Sequence, residues 1–285
     1  MSIQLIPYKP AGTIGSGPYV LREYKPDTGV DISALSITYT GAHTDYGMVT
    51  MSDGARYRLL AFTSSGTLSI EQPVNCEVCV VGGGANGAKA ANGIGGAGGA
   101  GAYLKNQSVS AYNGGPVVVG ARQGVSSIAD VSVNAVSGKN GGTGAGGNTA
   151  GTGDGISKYP FGDMGYSLWA GKPHCAGGGQ GTYEWWVDRK NTAGYKGGNG
   201  GTNGGNGYSR GSSQVSNPSG GVGGSYGGGA GGSHTTAIGG NATYYGSGAG
   251  GGRCYENADG DQTLSNGGNG YQGIVYMRIP EEQAA

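Results

Sequence analysis

The chain has 285 residues, enough for one large or two modest domains, with 17 basic and 17 acidic side chains and only 12% charged residues. That balance leaves no electrostatic footprint for nucleic acid or a membrane surface, and no apolar run approaches the ~20 residues of a membrane span. Gly supplies 68 residues and Pro only 10, against a usual Gly share of ~7%, which excludes a collagen repeat; 19 Tyr, 3 Trp and a 35% hydrophobic content argue against a flexible glycine linker.

In residues 1–35, Pro7, Pro10, Pro18 and Pro26 punctuate an apolar and aromatic background of Ile3, Leu5, Ile6, Tyr8, Tyr19, Leu21 and Tyr24. Proline at that density forbids a helix of useful length, leaving an extended arm laid on a partner or a loosely packed tail. The opening MSIQLIPYKP lacks the basic start and apolar core of a signal peptide, so synthesis in a cytoplasm without one is expected. From 31 to 81 the pattern predicts strands at 35–40 (LSITYT), 47–51, 55–62 (ARYRLLAF) and 67–70 (TLSI). The TSSG turn between the last two predicts a hairpin. Residues 74–81 read as a further strand that places Cys76 and Cys79 on opposite faces and runs straight into Gly82, Gly83 and Gly84. With Cys175 and Cys254 standing alone, the four cysteines match neither a zinc site nor a disulfide framework and read as unpaired thiols.

A first glycine block fills 82–101, a Val/Ser-rich β stretch follows at 103–136, and further blocks occupy 138–147, 176–181, 197–207, 220–224, 227–232, 246–252 and 267–270. The chain closes on an apolar strand at 273–279 (GIVYMRI). Glycine loses more conformational entropy on folding than any other residue, so a folded chain this rich in it must use the missing side chain. Three-residue-per-turn helices of the polyproline II type do so, packing side by side through N–H···O=C and Cα–H···O=C contacts. The expected fold is mostly irregular and β: an N-terminal β-rich attachment region (1–81), a sandwich of polyglycine II helices (82–279) with the β stretch 103–136 interleaved, and a tail (280–285).

Between the blocks lie 154–174, 182–196, 208–219, 233–245 and 253–265, expected as surface loops alternating between the two ends of the stack. They hold all three tryptophans and most of the later tyrosines among Ser, Gly and Asn. That is the composition of a binding surface, where rigid aromatics give contact area at low entropic cost and Arg adds hot spots. The candidate contact residues are Tyr159, Phe161, Tyr166, Trp169, Tyr183, Trp185, Trp186, Arg189, Tyr208, Arg210, Tyr244, Tyr245, Arg253 and Tyr255. Any single tyrosine can instead fold back to cover a stack with little core of its own; the Trp185–Trp186 pair reads as exposed.

Taken together, the Ile6-Pro7-Tyr8 region, the strand-to-glycine passage CEVCVVGGGANG and the closing GGNGYQGIVYMRI, with aromatic loops between glycine blocks, resemble the receptor-recognising adhesins at the tip of T-even-type bacteriophage long tail fibres. The resemblance spans essentially the whole chain. It implies a virion protein that caps a trimeric distal tail-fibre protein, one adhesin per fibre tip, through an attachment region containing Ile6, Tyr8, Tyr19 and Leu21. It further implies that loops between polyglycine II helices bind an outer-membrane protein of the host and set host range. No enzymatic activity, cofactor, nucleic-acid partner or membrane insertion is expected. The alternatives are a passive structural cap or assembly factor of the fibre and an ice-binding polyglycine II protein.

Catalytic patterns are weak by comparison. No GxGxxG match sits in a βαβ unit, and neither Gly138-Lys139-Asn140 nor Gly171-Lys172-Pro173 makes a phosphate loop. His43, His174 and His234 show no metal spacing, and His234 reads as a solvated loop residue. Asp154, Asp163, Glu184 and Asp188 are the carboxylates from which a glycosidase pair would come; solvated loop charges are the commoner role.

Overall fold

The computed structural model describes residues 30–133, 159–188, 191–195, 214–224 and 226–282. The expected attachment residues Ile6, Tyr8, Tyr19 and Leu21, the contact candidates Arg189, Tyr208 and Arg210, and the glycine blocks 138–147 and 197–207 lie outside them.

The strands in chain order are β1 (Ile37–Tyr39), β2 (His43–Thr50), β3 (Arg56–Phe62), β4 (Gly66–Val81), β5 (Leu104–Val118), β6 (Ser126–Ile128), β7 (Val131–Val133), β8 (Tyr183–Asp188), β9 (Asn191–Tyr195), β10 (Gln214–Ser216), β11 (Cys254–Glu256), β12 (Gln262–Leu264) and β13 (Ile274–Pro280). The protein is mostly β and irregular: among the described residues the helical content is one 3₁₀ turn, Pro160–Gly162. An eight-stranded sheet has the order β2-β3-β13-β4-β5-β6-β7, with β1 also on β4, and every pair is antiparallel.

Strand alternation builds a core on each face of this sheet. Leu68, Ile70, Val74, Cys76, Val78 and Val80 of β4 join Leu60, Phe62, Val275, Met277 and Ile279 in one cluster. Cys79 and Val81 face the other way, with Leu59, Ala61, Ile274 and Tyr276. Cys76 and Cys79 therefore occupy opposite faces, as their spacing predicts. All four cysteines are buried thiols, none of them in a disulfide.

Two expectations are corrected. The runs flanking the TSSG turn do not form a hairpin, because β13 lies between β3 and β4 and pairs with both. β13 is buried along all but its last residue; an apolar strand of that kind has no solvent face and needs neighbours on both edges. The sheet also takes β5, β6, β7 and β13 from beyond residue 81, so the boundary set there by composition falls inside one sheet.

Among the described residues the glycine-rich chain forms eight extended segments: I (82–91), II (94–103), III (175–182), IV (220–224), V (227–232), VI (237–242), VII (246–253) and VIII (265–273). Strand β4 continues into I and β5 out of II without a change of register. Val81 pairs with Leu104, and the same register carries Gly82→Tyr103, Ala85→Ala100 and Ala88→Ala97, N–H to O=C. What changes is the repeat, from two residues to three. The β13–β4 pair likewise continues as Gly84→Tyr271, Gly87→Gly268 and Ala90→Ser265.

Segment VII is the axis of the array. Its amides donate in turn to III (Gly248→Ala176, Gly251→Gly179), to I (Ala249→Ala85, Gly252→Ala88) and to VI (Gly250→Gly240, Arg253→Ala237). Its carbonyls accept in turn from II (Gly99→Ala249, Gly96→Gly252), from V (Gly229→Gly248, Gly232→Gly251) and from VIII (Gly268→Gly250, Ser265→Arg253). These six neighbours also bond to one another around the axis, in the order I–II–III–V–VI–VIII and back to I, and segment IV packs outside on III and V. Backbone groups that would be orphaned inside the molecule are thereby satisfied mostly by other backbone groups, with side chains joining at a few places, as where Asn86 Oδ1 accepts from the Gly270 amide at 3.0 Å. The approach is close enough to require glycine: a Cβ at Gly87 would lie 1.8 Å from the carbonyl oxygen of Gly250.

Segment VI corrects a further expectation, since it lies within 233–245, expected as a loop. With a three-residue repeat only every third position must be small on a given side. Gly240 and Ala237 meet segment VII and Gly239 and Ala242 meet VIII, leaving Ile238, which is 58% exposed, to face outward.

Candidate functional site

Segments I to VIII alternate strictly in direction: VII runs parallel to I, III and V and antiparallel to II, VI and VIII, while IV runs antiparallel to III. The connections therefore sort into two ends. The near end carries the large sheet, residues 159–174 and the turn 243–245. The far end carries the turn 92–93, the connection that starts with β8 and β9 and returns through β10, the turn 233–236, and β11–β12.

This sorting divides the candidate contact residues. Tyr159, Phe161, Tyr166 and Trp169 pack on the second face of the large sheet. Trp169 is fully buried and donates its indole N–H to the carbonyl of Asp163, with Tyr166 edge-on at 4.9 Å and Tyr276 at 5.5 Å. Its role as a loop-borne contact residue is thus corrected to core: the glycine array packs backbone against backbone, whereas the sheet offers an apolar face. Phe161 lies under the Arg278 guanidinium at 4.5 Å. Tyr244 and Tyr245 are half-buried against His174, at 4.9 and 6.1 Å. Burial pushes the phenols of Tyr244, Tyr245 and Tyr276 above their ordinary range. Asp163 is a turn-former: burial raises its carboxyl, but hydrogen bonds from the Ser52 hydroxyl and the amides of Ser52, Gly165 and Tyr166 more than offset this and hold it below 3.8.

Tyr183, Trp185, Trp186, Arg253 and Tyr255 remain together at the far end. The residues expected there as loops instead form a second sheet, of order β10-β9-β8-β11-β12. It grows out of the array just as the large sheet grows into it. Segments III and VII run parallel and β8 and β11 continue them as a parallel pair, Cys254 opposite Tyr183 and Glu256 opposite Trp185.

Alternation on β8 gives the sheet two aromatic faces. Tyr183 and Trp185, ring centroids 5.4 Å apart, share one face with Glu256 and Gln262. The Tyr183 hydroxyl donates to Glu256 Oε2 at 3.1 Å and Gln262 Nε2 donates to the same oxygen at 2.8 Å. Glu184, Trp186 and Tyr255 lie on the opposite face. Trp186 is 39% exposed, and the Arg253 guanidinium sits over the Tyr255 ring at 4.7 Å, a cation–π contact.

No family model, curated protein or solved structure matches this chain.

Beneath the aromatics is a feature that sequence reasoning missed. Glu184 is fully buried, accepts from the Thr182 hydroxyl at 2.6 Å and lies 3.2 Å from His234 Nδ1 and 3.8 Å from Arg253 Nη1. The only available signal was the alternation TYEWW, which places one acid between aromatic neighbours on a strand. Glu184 and Asp163 sit at opposite ends of the array, so they do not form the carboxylate pair of a glycosidase, which requires ~5–10 Å separation. Among the described residues no group of three or more His, Cys, Asp or Glu side chains could hold a metal ion, and no helix is long and apolar enough to cross a membrane.

Proposed function

We propose that the chain is a phage tail-fibre adhesin: its glycine-rich segments are polyglycine II helices, and its far end binds a protein in the outer membrane of a bacterial host. The observation that carries this reading is the alternation of the eight segments about segment VII. It gathers Tyr183, Trp185, Trp186, Arg253 and Tyr255 at the end remote from the large sheet. The three-residue hydrogen-bond repeat and the carbonyl contacts at glycine Cα atoms support the polyglycine II assignment. Strands bearing Tyr and Trp on both faces, continuous with a backbone-bonded array, are suited to insert between the loops of a receptor with little ordering cost. The large sheet, with the chain's first 29 residues leading into it, then serves attachment to the trimeric distal fibre protein.

The test is binding of the purified protein, with and without its fibre partner, to bacterial strains each lacking one outer-membrane protein. Loss of binding to one strain supports the adhesin and identifies the receptor. Equal binding to all strains points to a surface glycan. Binding to none points to a passive cap.

A further inference from the structure

We propose that Glu184 is a positioning residue that locks three far-end connections to one another. Its carboxylate is reached from three separate stretches of chain: Thr182 closes segment III, His234 belongs to the turn between V and VI, and Arg253 closes segment VII. A carboxylate only accepts hydrogen bonds, so the proton at His234 lies on Nδ1. Arg253 Nη1 also donates to the carbonyls of His234 at 2.9 Å and Ser233 at 3.4 Å, tying the turn directly to the end of segment VII. Among the described residues His234 and Arg253 are the charged or titratable groups that meet Glu184.

The chemistry favours arrangement over stability. Taking a carboxylate and a guanidinium out of water is costly, and an apolar residue of similar volume commonly holds such a site at least as well. An apolar residue at 184 would pack equally against any placement of the 233–236 turn. A carboxylate accepts only the placement that brings the Thr182 hydroxyl, His234 Nδ1 and Arg253 within reach together. Trp186 and Tyr255 stand on the same face of the sheet as Glu184, and Arg253, held beside Glu184, carries its guanidinium over the Tyr255 ring at 4.7 Å, so fixing Arg253 fixes the setting of Tyr255. The lock itself is independent of the receptor-binding reading; its consequence for binding rests on that reading.

The experiment is hydrogen exchange by mass spectrometry on the purified full chain, comparing wild type, Glu184→Gln and Thr182→Val, with bacterial adsorption measured in parallel. Glu184→Gln is expected to speed exchange by about tenfold or more in 182–188, 232–237 and 253–264 together, the scale of losing a charge-assisted hydrogen bond, and to leave 82–103 at the wild-type rate. Thr182→Val, which removes one partner, is expected to affect 182–188 alone. A change in Glu184→Gln confined to 182–188, or spread evenly over the chain, overturns the lock. If exchange rises at all three places while adsorption is unchanged, the lock stands and the far end is not the contact surface.

Discussion

A Cβ on Gly250 would lie 1.7 Å from the carbonyl oxygen of Ala230, closer than any side chain can approach. Segment VII has a neighbour on every side, so neither partner can shift without displacing a third segment. Gly250→Ala is therefore expected to destabilise the protein by at least ~2 kcal/mol, the scale of overpacking a close-packed interior. At Gly240 the nearest atom to an added Cβ is Ala230 N at 3.1 Å, and the outer side of segment VI is open, so Gly240→Ala is expected to cost less than half as much. Chemical denaturation of both variants checks the ordering; equal losses would count against the close-packed axis.

Trp169 and Trp186 separate stability from recognition. Trp169→Ala removes a fully buried indole and is expected to cost ~3–5 kcal/mol, lowering adsorption only in proportion to the folded fraction. Trp186→Ala removes a side chain that is 39% exposed; its melting temperature should stay near wild type while adsorption falls by about tenfold or more, as for an interface hot spot. Melting curves and adsorption rates of the two variants decide it. Wild-type adsorption of Trp186→Ala would remove that residue from the contact surface.

His174 gives the fold an acid sensitivity of defined sign. It is fully buried among Tyr244, Tyr245 and Tyr276, and burial lowers its pKa from 6.5 to about 3. As pH falls below ~6.5 the unfolded chain takes up a proton that the native state refuses, so stability is full above ~6.5 and declines towards ~3, by up to ~1.4 kcal/mol per pH unit. His174→Gln, which cannot titrate, is expected to flatten the stability curve between pH 6.5 and about 4, above the range where native carboxylates protonate. Denaturation midpoints across that range test the assignment; parallel curves for the two proteins would refute it.

The four cysteines should be silent in the native state. All are buried thiols, and burial pushes the Cys76 thiol up to about 12 and the Cys79 and Cys254 thiols above their ordinary range. A thiol-specific chromogenic reagent at neutral pH is expected to react with none of them in folded protein and with all four after denaturation, because the thiolate is the reactive form. Prompt labelling of the native protein would contradict the packing of Cys76 and Cys79.

Much of the fold is local and was legible as such. Alternation in 74–81 assigns Cys76 and Cys79 to opposite faces, and a strand running into Gly82 already marks where side chains give way to backbone packing, because both follow from the spacing of residues along one stretch. The tertiary structure alone decided which stretches meet. β13 separates β3 from β4, since a strand apolar on both faces needs two partners wherever they lie in sequence. Trp169 left the candidate surface because the nearest apolar face belongs to a sheet built largely from residues before 82. Segment VI was hidden by Ile238 and Asn241, which a three-residue repeat tolerates on an outward side that sequence does not identify. Glu184 became legible only once segments III and VII and the 233–236 turn were brought together: a carboxylate's role is set by the donors around it, and here those donors lie up to 69 residues away.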